Sequence, residues 1–262
     1  MRKFINYAVL CVFTAAVLTL ASLSYLVSNI FKYEHTLLNI PTIAELDEPK
    51  NVSEEVPLSL KRAALSSRSS SVRVVSFSYE SGAISVASGT YIVHNNHYFI
   101  MTAAHAVIDD KSPLMAVTED GQFGSLGLVY KSDVTDFAFF EVDEIPNREA
   151  VDVVNKVPTA KKWAKRLQTL DSVVYTGYPN GTGPFTIQGK IMGFAEVAVF
   201  INTYGWSGAS GASVFTEQGE IMGIVSALEV GDFNGLPTPL ENSVIVRPTY
   251  LVDWSLVFKD YQ

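Results

Sequence analysis

From Val72 onward, brief apolar runs alternate with turn residues. VRVVSFSY (72–79), SVASGTYIV (85–93), YFIMTAA (98–104), GSLGLVY (124–130), DFAFFEV (136–142) and DSVVYTGYP (171–179) each have the length and composition of a short strand. FTIQGKIMGF (185–194), VAVFINT (197–203), ASVF (212–215), EIMGIVSAL (220–228) and NSVIVRP (242–248) continue the series. Asn95-Asn96 and Gln218-Gly219 fall between such runs and signal hairpins. About a dozen short strands at regular spacing predict an all-β barrel or sandwich. Only PTAKKWAKRL (158–167) and PTYLVDWSLVF (248–258) carry a helical pattern. In the second, Leu251, Trp254 and Phe258 share one face, which suits packing the C-terminus onto the body.

The N-terminal pattern is different. Residues 4–31 hold no charged side chain, and AVLCVFTAAVLTLASLSYLV (8–27) would reach about 30 Å as a helix, the thickness of a bilayer core. The expected organisation is a cytoplasmic tail (1–7), a transmembrane signal anchor (8–30), a linker (31–70) and a globular domain (71–262). A cleaved signal peptide is the competing reading, and the length of the run favours the anchor. Arg2 and Lys3 precede the run, so the positive-inside bias keeps the N-terminus cytoplasmic and the globular part outside. After cleavage the domain would instead be secreted. The linker is acidic at ELDEPKNVSEEVP (45–57) and serine-rich at SSRSSS (66–71), with room for a short helix at 58–65.

Charge and cysteine content narrow the function. Of the 19 Lys and Arg, Arg2 and Lys3 lie before the apolar run, which leaves 17 against 27 Asp and Glu, a net of −10. Such a surface argues against a nucleic-acid partner. The basic stretch KKWAKR (161–166) reads as a solvated helix face. Cys11 is the one cysteine and lies in the apolar run, so neither an intramolecular disulfide nor a cysteine metal site is expected. No metal or cofactor is implied. NVS (51–53) and NGT (180–182) are sequons that matter only in a glycosylating host.

Candidate chemistry concentrates in GWSGASGASVF (205–215), where Ser207, Ser210 and Ser213 stand among small residues. A nucleophilic serine needs a base, a partner orienting that base, and donors for the developing oxyanion. The chain has four histidines. His35 borders the apolar run, His94 and His97 flank a turn, and His105 follows a buried strand in FIMTAAHAV.

These segments resemble the trypsin-like serine proteases. TAAHAV (102–107) is similar to their histidine motif, DFAFFEV to their aspartate motif and GASGASVF (208–215) to their serine motif. EIMGIVSA (220–227) resembles the strand lining their primary pocket, while GYP (177–179) and ASGTYIV (87–93) match weaker positions. The resemblance covers roughly 70–262 and is nearest to disulfide-free bacterial Deg/HtrA-type domains. It implies two six-stranded antiparallel barrels of chymotrypsin type, at about 71–150 and 165–247, and a C-terminal helix over 248–262. The order His105, Asp136, Ser210 is the trypsin-like one; no histidine follows Ser210, which excludes the α/β-hydrolase order.

The resemblance implies a function and a set of roles. The chain would be a membrane-anchored serine endopeptidase acting on polypeptides, with His105, Asp136 and Ser210 catalytic. Backbone N–H groups of Gly208 and Ser210 would form the oxyanion hole, and Ser226 would support Asp136. Tyr204, Ala227 and Leu228 would line the substrate pocket, although Tyr204 reads equally as a core aromatic. The gap-free register of SGASVFTEQGEIMGI favours Ser210 over Ser207 and Ser213. Asp133 competes with Asp136, which is preferred because it begins the DFAFFEV alternation. Ala209 stands where pancreatic-type members carry an acid, so no activation by a freed N-terminus is expected. The chain ends soon after the C-terminal helix, so no PDZ domain is expected. The alternative function is a catalytically inactive trypsin-like fold used as a protein-binding module.

Overall fold

A computed structural model of the chain describes residues 56–111, 113–118 and 121–261. The expected tail, the anchor at 8–30 and the first part of the linker lie outside the described residues. Among the described residues no helix is long and apolar enough to cross a membrane.

Helix α1 (Leu58–Ser70) leads directly into the first sheet. That sheet comprises β1 (Ser71–Phe77), β2 (Ile84–His94), β3 (His97–Ala103), β4 (Leu114–Thr118), β5 (Gly121–Ser132), β6 (Phe137–Val142) and β7 (Val151–Asp152). Two short helices, α2 (Val153–Lys156) and α3 (Ala160–Arg166), precede the second sheet. Its strands are β8 (Ser172–Gly177), β9 (Phe185–Ala195), β10 (Ala198–Asn202), β11 (Ser213–Thr216), β12 (Ile221–Phe233) and β13 (Leu236–Pro248), and α4 (Trp254–Val257) follows.

Both barrels expected from the resemblance are present. The first runs β1-β4-β5-β6-β3-β2 and closes through the antiparallel pairing of β1 with β2. Strand β7, not foreseen in the sequence, adds in parallel to β2. The second is a closed barrel in the order β10-β13-β12-β11-β8-β9. Closure leaves few free edges, which all-β proteins otherwise have to protect. The Asn95-Asn96 hairpin forms as expected, with both residues at positive φ (47° and 64°), the conformation a two-residue turn needs.

Two apolar clusters form the core. Phe99, Ile100, Met101, Phe137, Phe139 and Phe140 belong to the one built mainly on the first barrel, both inside it and beneath the C-terminal segment; Val173, Tyr175, Ile191, Val214, Met222 and Val244 belong to the one in the second. The C-terminal segment covers the first barrel. It is not one helix but a 3-10 turn (Thr249–Leu251) and then α4, because Asp253 caps α4 by accepting from the N–H groups of Ser255 and Leu256. Phe258 is buried and stacks on His94 with ring centroids 4.2 Å apart.

Two segments differ from the sequence reading. The linker was expected to run to residue 70, but residues 58–70 form a full helix packed on both barrels. It buries Leu60, Ala63, Ala64 and Ser67, and Ser67 Oγ donates to Thr176 Oγ1 at 2.9 Å. Its contact face is made of small residues and one leucine, so it lacks the broad apolar stripe that marks an amphipathic helix. The second difference is at 229–241, between the expected strands 220–228 and 242–248, where the sequence pattern predicts no strand. There β12 and β13 pair continuously to Phe233↔Leu236 and turn at Asn234-Gly235, with φ of 57° and 80°. This ribbon is exposed on both faces, so it shows none of the alternation that identified the other strands.

Candidate active site

His105 sits in the 3-10 turn Ala104–Ala106 immediately after β3. Asp136 stands just before β6, which pairs antiparallel with β3, so the sheet register brings the two together. Their approach is fixed three times. Ala104 N–H donates to Asp136 O (3.2 Å), His105 N–H donates to Asp136 Oδ1 (3.1 Å), and His105 Nδ1 lies 3.0 Å from both carboxylate oxygens. Asp136 holds a left-handed φ of 60°, a conformation that aspartate tolerates better than most non-glycine residues. Ser226, on β12, donates its hydroxyl to Asp136 Oδ2 from the other barrel. Asp133, the competing carboxylate, is exposed and lies 3.7 Å from Lys131.

The carboxylate dictates the state of the imidazole. Asp136 accepts, so Nδ1 carries the proton and Nε2 is left as the acceptor. The hydrogen bond that His105 donates to Asp136 holds the His105 pKa above its ordinary value; desolvation opposes this and the carboxylate charge assists. For Asp136, burial pushes the pKa up, but the hydrogen bonds from His105 and Ser226 prevail, and the carboxyl lies below its usual range. The His105 side chain is 49% exposed while Asp136 is buried, so the base faces solvent and its partner does not.

Ser210 lies in the loop between β10 and β11 and is half-buried. The loop is fastened to the first barrel by Ser88 of β2. Ser88 N–H donates to Ser210 O (2.8 Å), and Ser88 Oγ donates to Gly208 O (2.7 Å) while accepting from Tyr178 N–H (2.8 Å). Gly211 is packed against the Ala103 amide, where a Cβ would come within 2.9 Å of its nitrogen. Its neighbour Ser210 is therefore held beside the turn that carries His105. Among the described residues the Ser210 hydroxyl has no hydrogen-bond partner, so its link to His105 is not closed in this structure. Apo catalytic contacts are commonly looser than those in complexes. Ser207 is exposed; Ser213 is buried in β11, with its N–H on Thr90 Oγ1.

Two peptides of this loop are oriented by their carbonyls. Asn180 N–H holds Ser207 O at 2.7 Å, and Ala212 N–H holds Ala209 O at 3.0 Å. A trans peptide points its N–H opposite its C=O. The N–H groups of Gly208 and Ser210 are thus turned the other way, and among the described residues neither meets a protein acceptor. Gly208 has φ 92° and no space for a side chain, since a Cβ would stand 2.6 Å from Tyr178 O. Ser88 and Asn180 carry these roles, and sequence reading assigned neither of them.

The residues expected to line the pocket also have definite surroundings. Leu228 lies against Gly205, and Val244 does too, so that a Cβ on Gly205 would be 2.7 Å from Val244 Cγ2. The gap between β12 and the 204–207 segment is therefore filled by the leucine. Ala227 is exposed. Tyr204 is not a core aromatic: the residue is 39% exposed, its hydroxyl donates to Glu241 at 2.8 Å, and its carbonyl accepts from Tyr175. Among the described residues no group of His, Cys, Asp and Glu is arranged to hold a metal ion.

Comparison with known proteins agrees with this fold. No curated protein matches the chain. Among solved structures, the serine endoprotease from Yersinia pestis is similar with a TM-score of 0.59 at 24% identity, over 79% of this chain and 69% of that one. The Rv3671c protease from M. tuberculosis, in its active form, is similar with a TM-score of 0.56 at 18% identity, over 71% and 79%. The HtrA-type protease AlgW with a tripeptide gives a TM-score of 0.60 at 17% identity, over 78% and 65%. At these identities the likeness is one of fold. The family model of the trypsin-like peptidase domain matches residues 87–224, more than half of the chain, and the chain belongs to that family.

Proposed function

We propose that this protein is a serine endopeptidase in which Ser210 is the nucleophile, His105 the general base and Asp136 its orienting partner. The observation that carries the reading is the His105–Asp136–Ser226 hydrogen-bond chain beside a loop whose Gly208 and Ser210 N–H groups meet no acceptor among the described residues. The chemistry follows the trypsin-like mechanism. Ser210 Oγ attacks the scissile carbonyl carbon as its proton passes to His105 Nε2. The carbonyl oxygen becomes an oxyanion between the two free N–H groups. The imidazolium, stabilised by Asp136, then gives its proton to the leaving amine, and the acyl group remains on Ser210. Water, deprotonated by His105, releases the acid and restores the hydroxyl. No metal or cofactor takes part in this scheme.

The acyl side of the substrate lies along β12. Val225 is bonded through both its N–H and its C=O to the serine loop, so Ser226 is the first position with an open edge. Leu228 fills the space beyond Gly205, so the substrate residue at the scissile carbonyl is small and apolar. In the cell, residues 8–30 anchor the enzyme with its catalytic domain on the extracytoplasmic side. A fluorophosphonate probe tests the core of the reading: labelling is lost in Ser210→Ala and kept in Ser207→Ala. Labelling that survives Ser210→Ala rejects the nucleophile, and absence of labelling in the native chain favours the inactive binding module. Protease accessibility of the domain in intact spheroplasts tests the anchor's orientation.

A further inference from the structure

The end of β8 is held between helix α1 on one face and the serine loop on the other. Successive side chains of a strand point to opposite faces, so Thr176 and the residue after the strand, Tyr178, share a face that Gly177 does not. On the first face, Ser67 Oγ of α1 donates to Thr176 Oγ1 at 2.9 Å, with both residues buried. Thr176 Oγ1 lies 3.0 Å from Thr186 Oγ1, which accepts from Arg68 Nη1 of α1 at 2.9 Å. The Tyr178 hydroxyl donates at 3.3 Å to the carbonyl of Ser71, the C-cap of α1. The Arg73 guanidinium stands 5.6 Å from the centroid of the same ring. On the second face, Gly177 packs on the serine loop: a Cβ there would be 3.1 Å from Ser88 Oγ, 3.4 Å from Ala212 Cβ and 3.5 Å from Ala209 Cα. The Tyr178 main chain completes this contact. Its N–H donates to Ser88 Oγ, and its carbonyl oxygen is the atom that confines Gly208.

We infer that Thr176 and Tyr178 are positioning residues through which α1 sets the serine loop and its two oxyanion donors. The inference rests on the proteolytic reading and adds α1 to its supports. Asn180 N–H orients the 207–208 peptide and Tyr178 O confines Gly208, and both belong to the turn that follows β8 directly. A shift of the β8 end therefore moves the Gly208 donor. The contact has no slack to absorb such a shift, because it is made by glycines and main chain at close-packed distances. Oxyanion donors act only when aimed at the place where charge develops, and a misplacement of order 1 Å costs up to about 10²-fold. Helix α1 is seated through alanines, serine hydroxyls and one leucine, so the hydroxyl contacts are a large part of what fixes its position. None of these contacts lies on β12, where the acyl side of the substrate is read to sit. Turnover therefore depends on the seating of α1, and substrate affinity does not.

The test measures kcat and KM of the full chain on a peptide amide. Thr176→Val removes the hydroxyl at similar shape, Thr176→Ser keeps the hydroxyl, and Tyr178→Phe keeps the ring but releases the Ser71 carbonyl. The kcat is expected to fall about tenfold in Thr176→Val and about three- to tenfold in Tyr178→Phe, with KM within roughly twofold of the parent. Thr176→Ser should restore kcat to within about twofold. The acid limb of the pH profile should stay in place, because the His105–Asp136 pair is untouched. Tyr250→Phe also removes a tyrosine–carbonyl hydrogen bond, that to Glu196 O, and should leave both constants unchanged. A rise in KM at constant kcat, equal kcat in the two Thr176 variants, or an equal loss in Tyr250→Phe and Tyr178→Phe overturns the inference while leaving proteolysis intact. If Thr176→Val does not fold, Tyr178→Phe decides, and an unchanged kcat there overturns the inference. If Ser210 of the native chain takes up no fluorophosphonate, the proteolytic reading itself has failed.

Discussion

In Gly208→Ala the added methyl would stand 2.6 Å from the Tyr178 carbonyl oxygen and 2.9 Å from the Asn180 amide nitrogen. Both are backbone atoms of the tight turn at 178–181, so neither can swing aside as a side-chain end would. The φ of 92° is also one that an alanine resists. The 207–208 peptide must therefore rotate, which breaks the bond from Asn180 N–H to Ser207 O and turns the Gly208 N–H out of the site. Loss of one oxyanion donor costs about 3 kcal/mol of transition-state stabilisation, or roughly 150-fold in rate. The ground state feels little of this, so kcat should fall by about 10²- to 10³-fold while KM stays within roughly twofold. Steady-state kinetics on a peptide amide, beside a thermal melt to verify folding, measures both. A folded variant that keeps kcat within about tenfold of the parent would refute the oxyanion assignment.

Other outcomes follow from the same site and its supports. Because Asp136 raises the His105 pKa, the acid limb of kcat/KM should lie above about 6.5, and Asp136→Asn should move it down and cut kcat on the order of 10⁴-fold, a magnitude carried over from the trypsin-like mechanism itself. In stability, the His105 contribution is fully present below about 6.5 and lost as pH rises through the raised value; that of Asp136 is present above about 3.9 and lost as pH falls through its lowered value. Denaturant unfolding across pH, with each variant as reference, checks both directions. Leu228→Ala should open the space beside Gly205 and shift peptide-library preference at the scissile position toward larger apolar residues. Leu60→Ala removes a side chain 2% exposed and should cost about 2–4 kcal/mol in denaturant unfolding; a change under about 0.5 kcal/mol would mean α1 is not part of the folded unit.

The barrels were legible because their strands bury one face, which leaves an alternating or continuous apolar record in the chain. The histidine, aspartate and Ser226 positions were legible from local motifs, and the structure brings these three into one hydrogen-bonded group. What the sequence could not convey is carried by groups without a distinctive residue type. Asn180 acts through its main-chain N–H, which any non-proline residue would supply. Ser88 looks like one more small residue in ASGTYIV until the fold brings it against Gly208. Helix α1 hides because it packs through alanine and serine, and the outer part of β12–β13 hides because neither face is buried. The prolines that mask that ribbon as a loop are compatible with it only at its non-bonded positions.

Ser88 belongs to one barrel, while the serine loop it holds belongs to the other. On the proposed mechanism, competence for chemistry would therefore wait until both halves have folded and met. A chain with a finished first half and an unformed second would have the histidine without a positioned serine. A nick or a partial melt that parts the halves would silence the enzyme before it unfolds, so loss of turnover should precede loss of β-sheet signal on heating.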